Sequence, residues 1–320
     1  MRVLQFSQAA WRITDNLKPE AARDLAWGPT HVWIRLEGLQ QAKLESLGAV
    51  FNLHPLAIED VRNHRQRPKV EDYEDLTFVV ARAPRWDKEN DELSWFTVGL
   101  FLGPDFLITA CTDPVVELDS VEKRLMAMKA NAKTSTIDNV FYQVLDAIVD
   151  AYFPIMDDLE DRIETLEVGV LAGPDAQELE KIQGFKQIVS QMRKTIFPMR
   201  EAMVALEKGE HPNIREETCL YLRDVADHTT RLGERLEHVK EVAVLAQETW
   251  NATLANQTNR TVQRLTSVTI VFMFTTLIAS LGGMTEFAGI PKTWDFFAVS
   301  GAILVATAAG LLLALRKRRK

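Results

Sequence analysis

The chain is poor in cysteine: Cys111 and Cys219 are far apart and are its only two. That excludes a disulfide framework and fits a reducing compartment. It contains no Walker-type GxxxxGK(S/T) loop and no GxSxG elbow, so the phosphate cradle of an ATP-driven pump and the nucleophile turn of a hydrolase are both missing. His54, Glu59, Asp60 and His64 lie close together but lack a metal-ligand spacing such as HExxH. The first residues, MRVLQFSQAAWRITDN, have no apolar core of the kind a signal peptide carries. Excess positive charge is also absent. The net charge is −8, and because the last five residues, Arg316 to Lys320, contribute +5, the rest of the chain carries −13. This balance argues against a nucleic-acid partner. Between Ile214 and Leu281 the helix breakers glycine and proline are nearly absent, Gly233 being the one exception.

What is present is a run without charge, Leu265 to Leu281, matching the roughly 17–25 residues a helix needs to cross a bilayer. Thr269, Met273, Thr276, Ser280 and Gly283 recur within it at steps of four and three, which places them on one helical face. Such a small, hydroxyl-bearing stripe must face protein or water rather than lipid. It is either a packing seam or the wall of an aqueous path. Asn256 and Asn259 continue the same face below it. A second charge-free run spans Phe296 to Leu315, with Ala302, Ala306 and Gly310 as a small-residue packing face. The basic tail after it predicts that both termini are cytoplasmic. Gly282-Gly283 is expected to end the first crossing, and Glu286 to stand just outside it.

The expected fold class is an α+β membrane protein in three parts. Residues 1–134 read as a cytosolic α/β domain, with strands over Arg2–Phe6, Val32–Leu36, Thr77–Arg82, Trp95–Leu102 and Phe106–Ala110. Helices are expected over Leu39–Leu47, capped by Gly48, then after Asn52, and from about Pro114 to Ala130. The charged stretch Arg65 to Lys69 reads as a loop. Residues 135–264 form a helical stalk. One helix starts at Ile137 and stops at Gly173-Pro174; a second, N-capped by Asp175, is kinked or split at Pro198. A third is uninterrupted from Ile214 into the membrane run and would be about 100 Å long. Residues 265–320 supply two transmembrane helices, about 265–283 and 296–315, and the basic tail. On the stalk, Asp224 with His228 and Glu234 with His238 are acid/imidazole pairs at i,i+4. Each can offer two ligands to a transition metal or form an ordinary helix-surface pair. One polar-striped helix cannot enclose a path alone, so the stripe predicts a ring of copies, with Glu286 carboxylates concentrating cations at its mouth.

The segments HPLAIEDV and QRPKVEDYED, DAIVDAYFPIMDDLED, RKTIFPMRE, and NQTNRTVQRLTSVTIVFMFTTLIASLGGMT resemble the CorA-type two-transmembrane family of divalent-cation channels, which includes ZntB-like zinc transporters. The likeness covers nearly the whole chain. It implies a homopentamer in the inner (plasma) membrane, a funnel-shaped cytosolic domain, and passive flow of Mg2+, Co2+, Ni2+ or Zn2+ without ATP or a catalytic cofactor. By the same resemblance, Asp87 and Asp224 match an acidic pair that binds a regulatory Mg2+ between subunits. Asn259, Met273, Thr276 and Gly283 match pore-lining positions. The Gly-Met pair of the family's Gly-Met-Asn motif stands at Gly283-Met284, but Thr285 replaces the asparagine. Ser280 and Phe274 also depart from the usual glycine and proline. These departures leave open a zinc-preferring transporter and a non-conducting membrane-anchored sensor or scaffold.

Overall fold

The computed structural model describes residues 1–7, 10–26, 30–38, 41–63, 66–88, 92–127, 136–173 and 175–287, together with 301 and 305. The chain divides into two compact units, Met1–Gly169 with Ala176–Gln247, and Val170–Asp175 with Glu248–Lys320.

The first unit is built on a seven-stranded mixed sheet. Its strands are β1 (Arg2–Ser7), β2 (Ala10–Asp15), β3 (His31–Glu37), β4 (Lys69–Tyr73), β5 (Leu76–Asp87), β6 (Glu92–Leu102) and β7 (Phe106–Cys111). They lie in the order β2-β1-β3-β7-β6-β5-β4. β3 and β7 are parallel, Val32 facing Phe106 and Glu37 facing Cys111, whereas the other pairs are antiparallel. Side chains alternate across the sheet as the period of two demands. Ile34, Leu36, Phe78, Val80, Phe101 and Ile108 pack on one side with Ala22, Leu44, Leu47, Ala57 and Val61. These last come from α1 (Pro19–Ala26), α2 (Gln41–Phe51) and α3 (Pro55–Arg62). The other side is covered by α5 (Ile137–Asp150), which contacts β3, β5, β6 and β7, while α4 (Val116–Ala127) contacts β2 and α5.

All five expected strands are present, with longer bounds. The two unforeseen ones are the sheet edges. β4 is the segment KVEDY, partly read as a charged loop. An edge strand needs no apolar face, and its charges protect it from pairing with other chains. Gly48 does not cap α2. The helix runs on to Phe51, and Asn52 in the left-handed region (φ 54°) ends it, with Leu53 N–H closing onto the Gly48 carbonyl at 2.9 Å. Gly48 instead permits close packing, since a Cβ there would lie 2.4 Å from the Ile58 side chain.

The helix from Ile137 is interrupted at Ala151-Tyr152, giving α5 and α6 (Phe153–Ala172). Pro154 accounts for the break, because it sits in the first turn of α6, where its missing N–H costs nothing. Pro198, by contrast, does not split α7 (Ala176–Lys208). Ile196, Met199, Ala202 and Met203 are buried around it, and this packing outweighs one lost ladder bond. α8 is a single helix of 72 residues, Glu216–Phe287. It therefore passes Gly282-Gly283, which was expected to end it.

Candidate cation sites

In the first unit, helical periodicity brings two i,i+4 pairs into proximity. Asp146 and Asp150 lie one turn apart on α5, beside the buried Leu145, Ile148 and Val149. Asp224 and His228 lie one turn apart on α8. His228 Nδ1 is 3.5 Å from an Asp150 carboxylate oxygen, and its Nε2 is 3.7 Å from Asp224. Its ring meets Phe153 edge-on at 5.5 Å, which fixes its plane. Ligand atoms of Asp146, Asp150 and His228 lie within 4.8 Å of one another, a span that one metal ion bridges.

The electrostatics favour a cation here. Burial pushes the Asp146 carboxyl up from the usual carboxylate range, and Asp150 and Asp224 push it further, against Arg124 and His228. Burial and the same carboxylates raise Tyr142 to about 12. Each shift reports unfavourable negative charge in one place. His228 Nδ1 is buried without a hydrogen-bond partner, leaving a nitrogen available to a metal. One imidazole among oxygen donors suits Zn2+, Co2+ or Ni2+, whereas Mg2+ prefers oxygen alone.

The sequence reading reached His228 and Asp224 but not Asp146 and Asp150. Their signal was two carboxylates at i,i+4 bordering an apolar helix face. Asp87 closes β5, exposed, and Asp224 is mostly exposed; among the described residues they do not form a metal-sized group within one chain. His238 and Glu234 are exposed and join no such group. Nor do His54, Glu59 and Asp60; His64 lies outside the described residues. Asp60 instead accepts from Gln66 at 2.6 Å and Lys69 at 2.7 Å, and His54 stacks on Tyr73 at 4.3 Å. The segment Leu53 to Asp75 therefore ties α3 to the sheet edge.

In the second unit, α8 carries Asn259, Thr269, Met273, Thr276 and Ser280 on its exposed surface. Thr269 donates its hydroxyl proton to the Leu265 carbonyl at 2.9 Å, and Thr276 donates to Phe272 at 2.8 Å. A hydroxyl whose proton is used in this way turns lone pairs outward and acts as an acceptor, the polarity a cation requires. Phe272, Met273, Phe274 and Leu277 are 45–66% exposed, an apolar surface that calls for lipid or another chain. Gly283, Met284, Thr285 and Glu286 fall on the end of α8, and their side chains lie outside the described residues, as does the second run from Phe296 apart from Gly301 and Val305. Among the described residues no helix is long and apolar enough to cross a membrane.

An α/β domain, a carboxylate–imidazole cluster and a long helix that runs into a charge-free, hydroxyl-bearing segment are the main features of the described residues. The chain belongs to the family of CorA-like Mg2+ transporter proteins, whose profile matches residues 29–318. It is 29% identical over 312 residues to the cobalt/magnesium transport protein CorA of Thermotoga maritima, covering 95% of this chain and 89% of that one. It is 23% identical over 251 residues to the zinc transport protein ZntB of Yersinia enterocolitica, covering 76% and 74%. The fold matches the CorA magnesium transporter of Methanocaldococcus jannaschii with a TM-score of 0.77, across 99% of this chain and 97% of that one, at 19% identity.

Proposed function

We propose that the protein carries divalent metal cations across the inner membrane through a homopentameric pore lined by the α8 stripe. The carrying observation is the continuity of α8, one helix from the Asp224–His228 pair to the charge-free run. Helices transmit displacement along their axis, so a charge change at the stalk end biases the membrane end. The runs at about 265–283 and 296–315 are the two crossings, and both termini face the cytoplasm. Asn259, Thr269, Met273, Thr276, Ser280 and Gly283 line the path. Thr285 and Glu286 stand at the mouth, with Met284 beside them.

Regulation follows from the acidic residues of the stalk. Asp87 of one copy and Asp224 of the next hold a cytosolic divalent ion, and the Asp146, Asp150 and His228 cluster holds another against the same helix. Filling these sites neutralises mutual repulsion and stiffens the ring; emptying them loosens it. The imidazole of His228 favours a second reading on substrate, in which Zn2+ rather than Mg2+ is the preferred ion.

The experiment is flux of Mg2+, Zn2+, Co2+ and Ni2+ into liposomes bearing the purified protein. Saturable flux of at least one ion, lowered by Thr276→Leu, supports transport. Absence of flux for all four ions would establish the non-conducting scaffold instead. In the double variant D87N/D224N, inhibition by cytosolic-side Mg2+ should weaken; an unchanged dose response removes that pair from gating.

A further inference from the structure

The connection between α7 and α8, Gly209 to Arg215, holds a histidine that the transport reading does not use. The side chain of His211 is 6% exposed. Its Nδ1 faces both carboxylate oxygens of Asp72 on β4, at 2.9 and 3.1 Å. Its Nε2 faces the Ala205 carbonyl oxygen on α7, at 3.2 Å. Gly209 makes the second approach possible, since a Cβ there would lie 2.5 Å from Nε2 and 2.9 Å from that carbonyl. Asn213 completes the attachment by donating to the carbonyls of Asp75 and Leu102.

Both ring nitrogens thus face groups that only accept. A neutral imidazole has one N–H, so one nitrogen would then turn a lone pair toward an acceptor. The contact pair is complete only in the imidazolium form. Of the other charged side chains on the surrounding elements, Glu207 pairs with Arg223, Arg215 with Asp138, and Lys69 with Asp60 and Glu71. Glu74, Lys208 and Glu210 flank the site in sequence. Among the described residues Asp72 is the charged group in contact with the ring, and it is further held by Thr77 at 2.8 Å.

We propose that His211 is a proton-dependent latch. Doubly protonated, it ties the start of α8 to the sheet through Asp72 and to α7 through Ala205. Loss of one proton releases one of the two ties, so a rise in cytosolic pH frees the base of the helix that leads to the membrane. The inference rests on contacts within one chain and is independent of the ion carried.

The test is hydrogen–deuterium exchange on the full-length protein in detergent at about pH 6 and about pH 8, a range in which imidazole side chains as a class change charge. The readout is the amides of Gly209 and Ile214 in this connection and of Thr218 and Cys219 in the first turn of α8, all hydrogen-bonded. After correction for intrinsic exchange, local opening should be roughly tenfold more frequent at the higher pH, the equivalent of one hydrogen bond. Asp72→Asn distinguishes the latch from a general pH effect. An asparagine amide can donate to Nδ1 while Nε2–H donates to Ala205, so a neutral ring is satisfied. In that variant the connection should stay protected at both pH values. His211→Phe, which keeps ring bulk without nitrogens, should exchange fast at both. Wild-type protection that does not change with pH, Asp72→Asn retaining the wild-type pH response, or His211→Phe retaining wild-type protection would each overturn the latch.

Discussion

Asp138 shows how a single residue sets a pH limit. Burial pushes its carboxyl up, but hydrogen bonds from Arg215, Thr218 and Thr136 outweigh this and hold it below its ordinary value. It is 2% exposed, with Arg215 Nε at 2.9 Å and Thr218 Oγ1 at 2.6 Å. Because the folded-state value is depressed, the stabilisation is present above the unfolded aspartate range and is lost as pH falls through the folded value. Asp138→Asn should therefore cost about 2 kcal/mol at neutral pH, less than a fully buried pair because Arg215 is half exposed. The cost should shrink in acid, which thermal melting at a series of pH values would reveal. Asp146 makes the opposite case. Its charge is unfavourable beside Asp150 and Asp224, so Asp146→Asn should raise the melting temperature without cations and reduce the gain on adding Zn2+. A gain equal to that of wild type would remove Asp146 from the ligand set. At Thr285 the side chain offers one hydroxyl oxygen where an asparagine offers an amide oxygen on a longer reach. Thr285→Asn should raise the Mg2+/Zn2+ flux ratio, because hydrated Mg2+ is held through hydrogen bonds to its waters. Glu286→Gln should lower flux of every divalent ion. An unchanged ratio in the first variant would mean that this position is not the filter.

Between elements, α3 packs closely against β6. Gly99 lies under Val61, and a Cβ added there would come within 2.2 Å of a Val61 methyl. Gly99→Ala should therefore cost about 1–3 kcal/mol, and adding Val61→Ala should restore part of it. Additive losses in the double variant would show that the two residues do not share one contact. The stalk helices are joined differently. Arg235 on α8 bridges Glu160 and Asp157 of α6, at 2.6–2.7 Å, while Leu222, Val225, Leu232, Leu236 and Val239 form the buried stripe of α8. The 3.6-residue period of that stripe is why so long a helix holds its orientation in this unit.

At the scale of the whole molecule, a helix with exposed apolar and hydroxyl surfaces leaves an area for lipid or another chain to cover. The proposed homopentamer should appear as the main species by mass measurement in nanodiscs, and a monomer as the main species would overturn the proposed pore. On the proposed passive mechanism, flux should follow the ion gradient in either direction and continue without ATP.

Strand positions, the stalk helices and the unbroken reach of α8 were legible in the sequence because each depends on local periodicity and on where glycine and proline fall. The helical conformation of the segment from Asn259 to Ser280 was legible for the same reason. Edge strand β4 was not, since KVEDY carries no apolar alternation, and β2 was not because its alternation of Trp11 and Ile13 with Arg12 and Thr14 is too short to stand out. The break at Ala151-Tyr152 and the continuity through Pro198 depended on packing that outweighed local preference. Most of the candidate metal-holding cluster was hidden as well. The spacings within Asp146/Asp150 and within Asp224/His228 are sequence facts, but the pairing of α5 with α8 joins residues more than seventy positions apart in the chain. His211 is the same case in part: Ala205 lies six residues before it at the end of α7, but Asp72 reaches it from a strand 139 positions away, and only the tertiary fold brings that second acceptor to the ring.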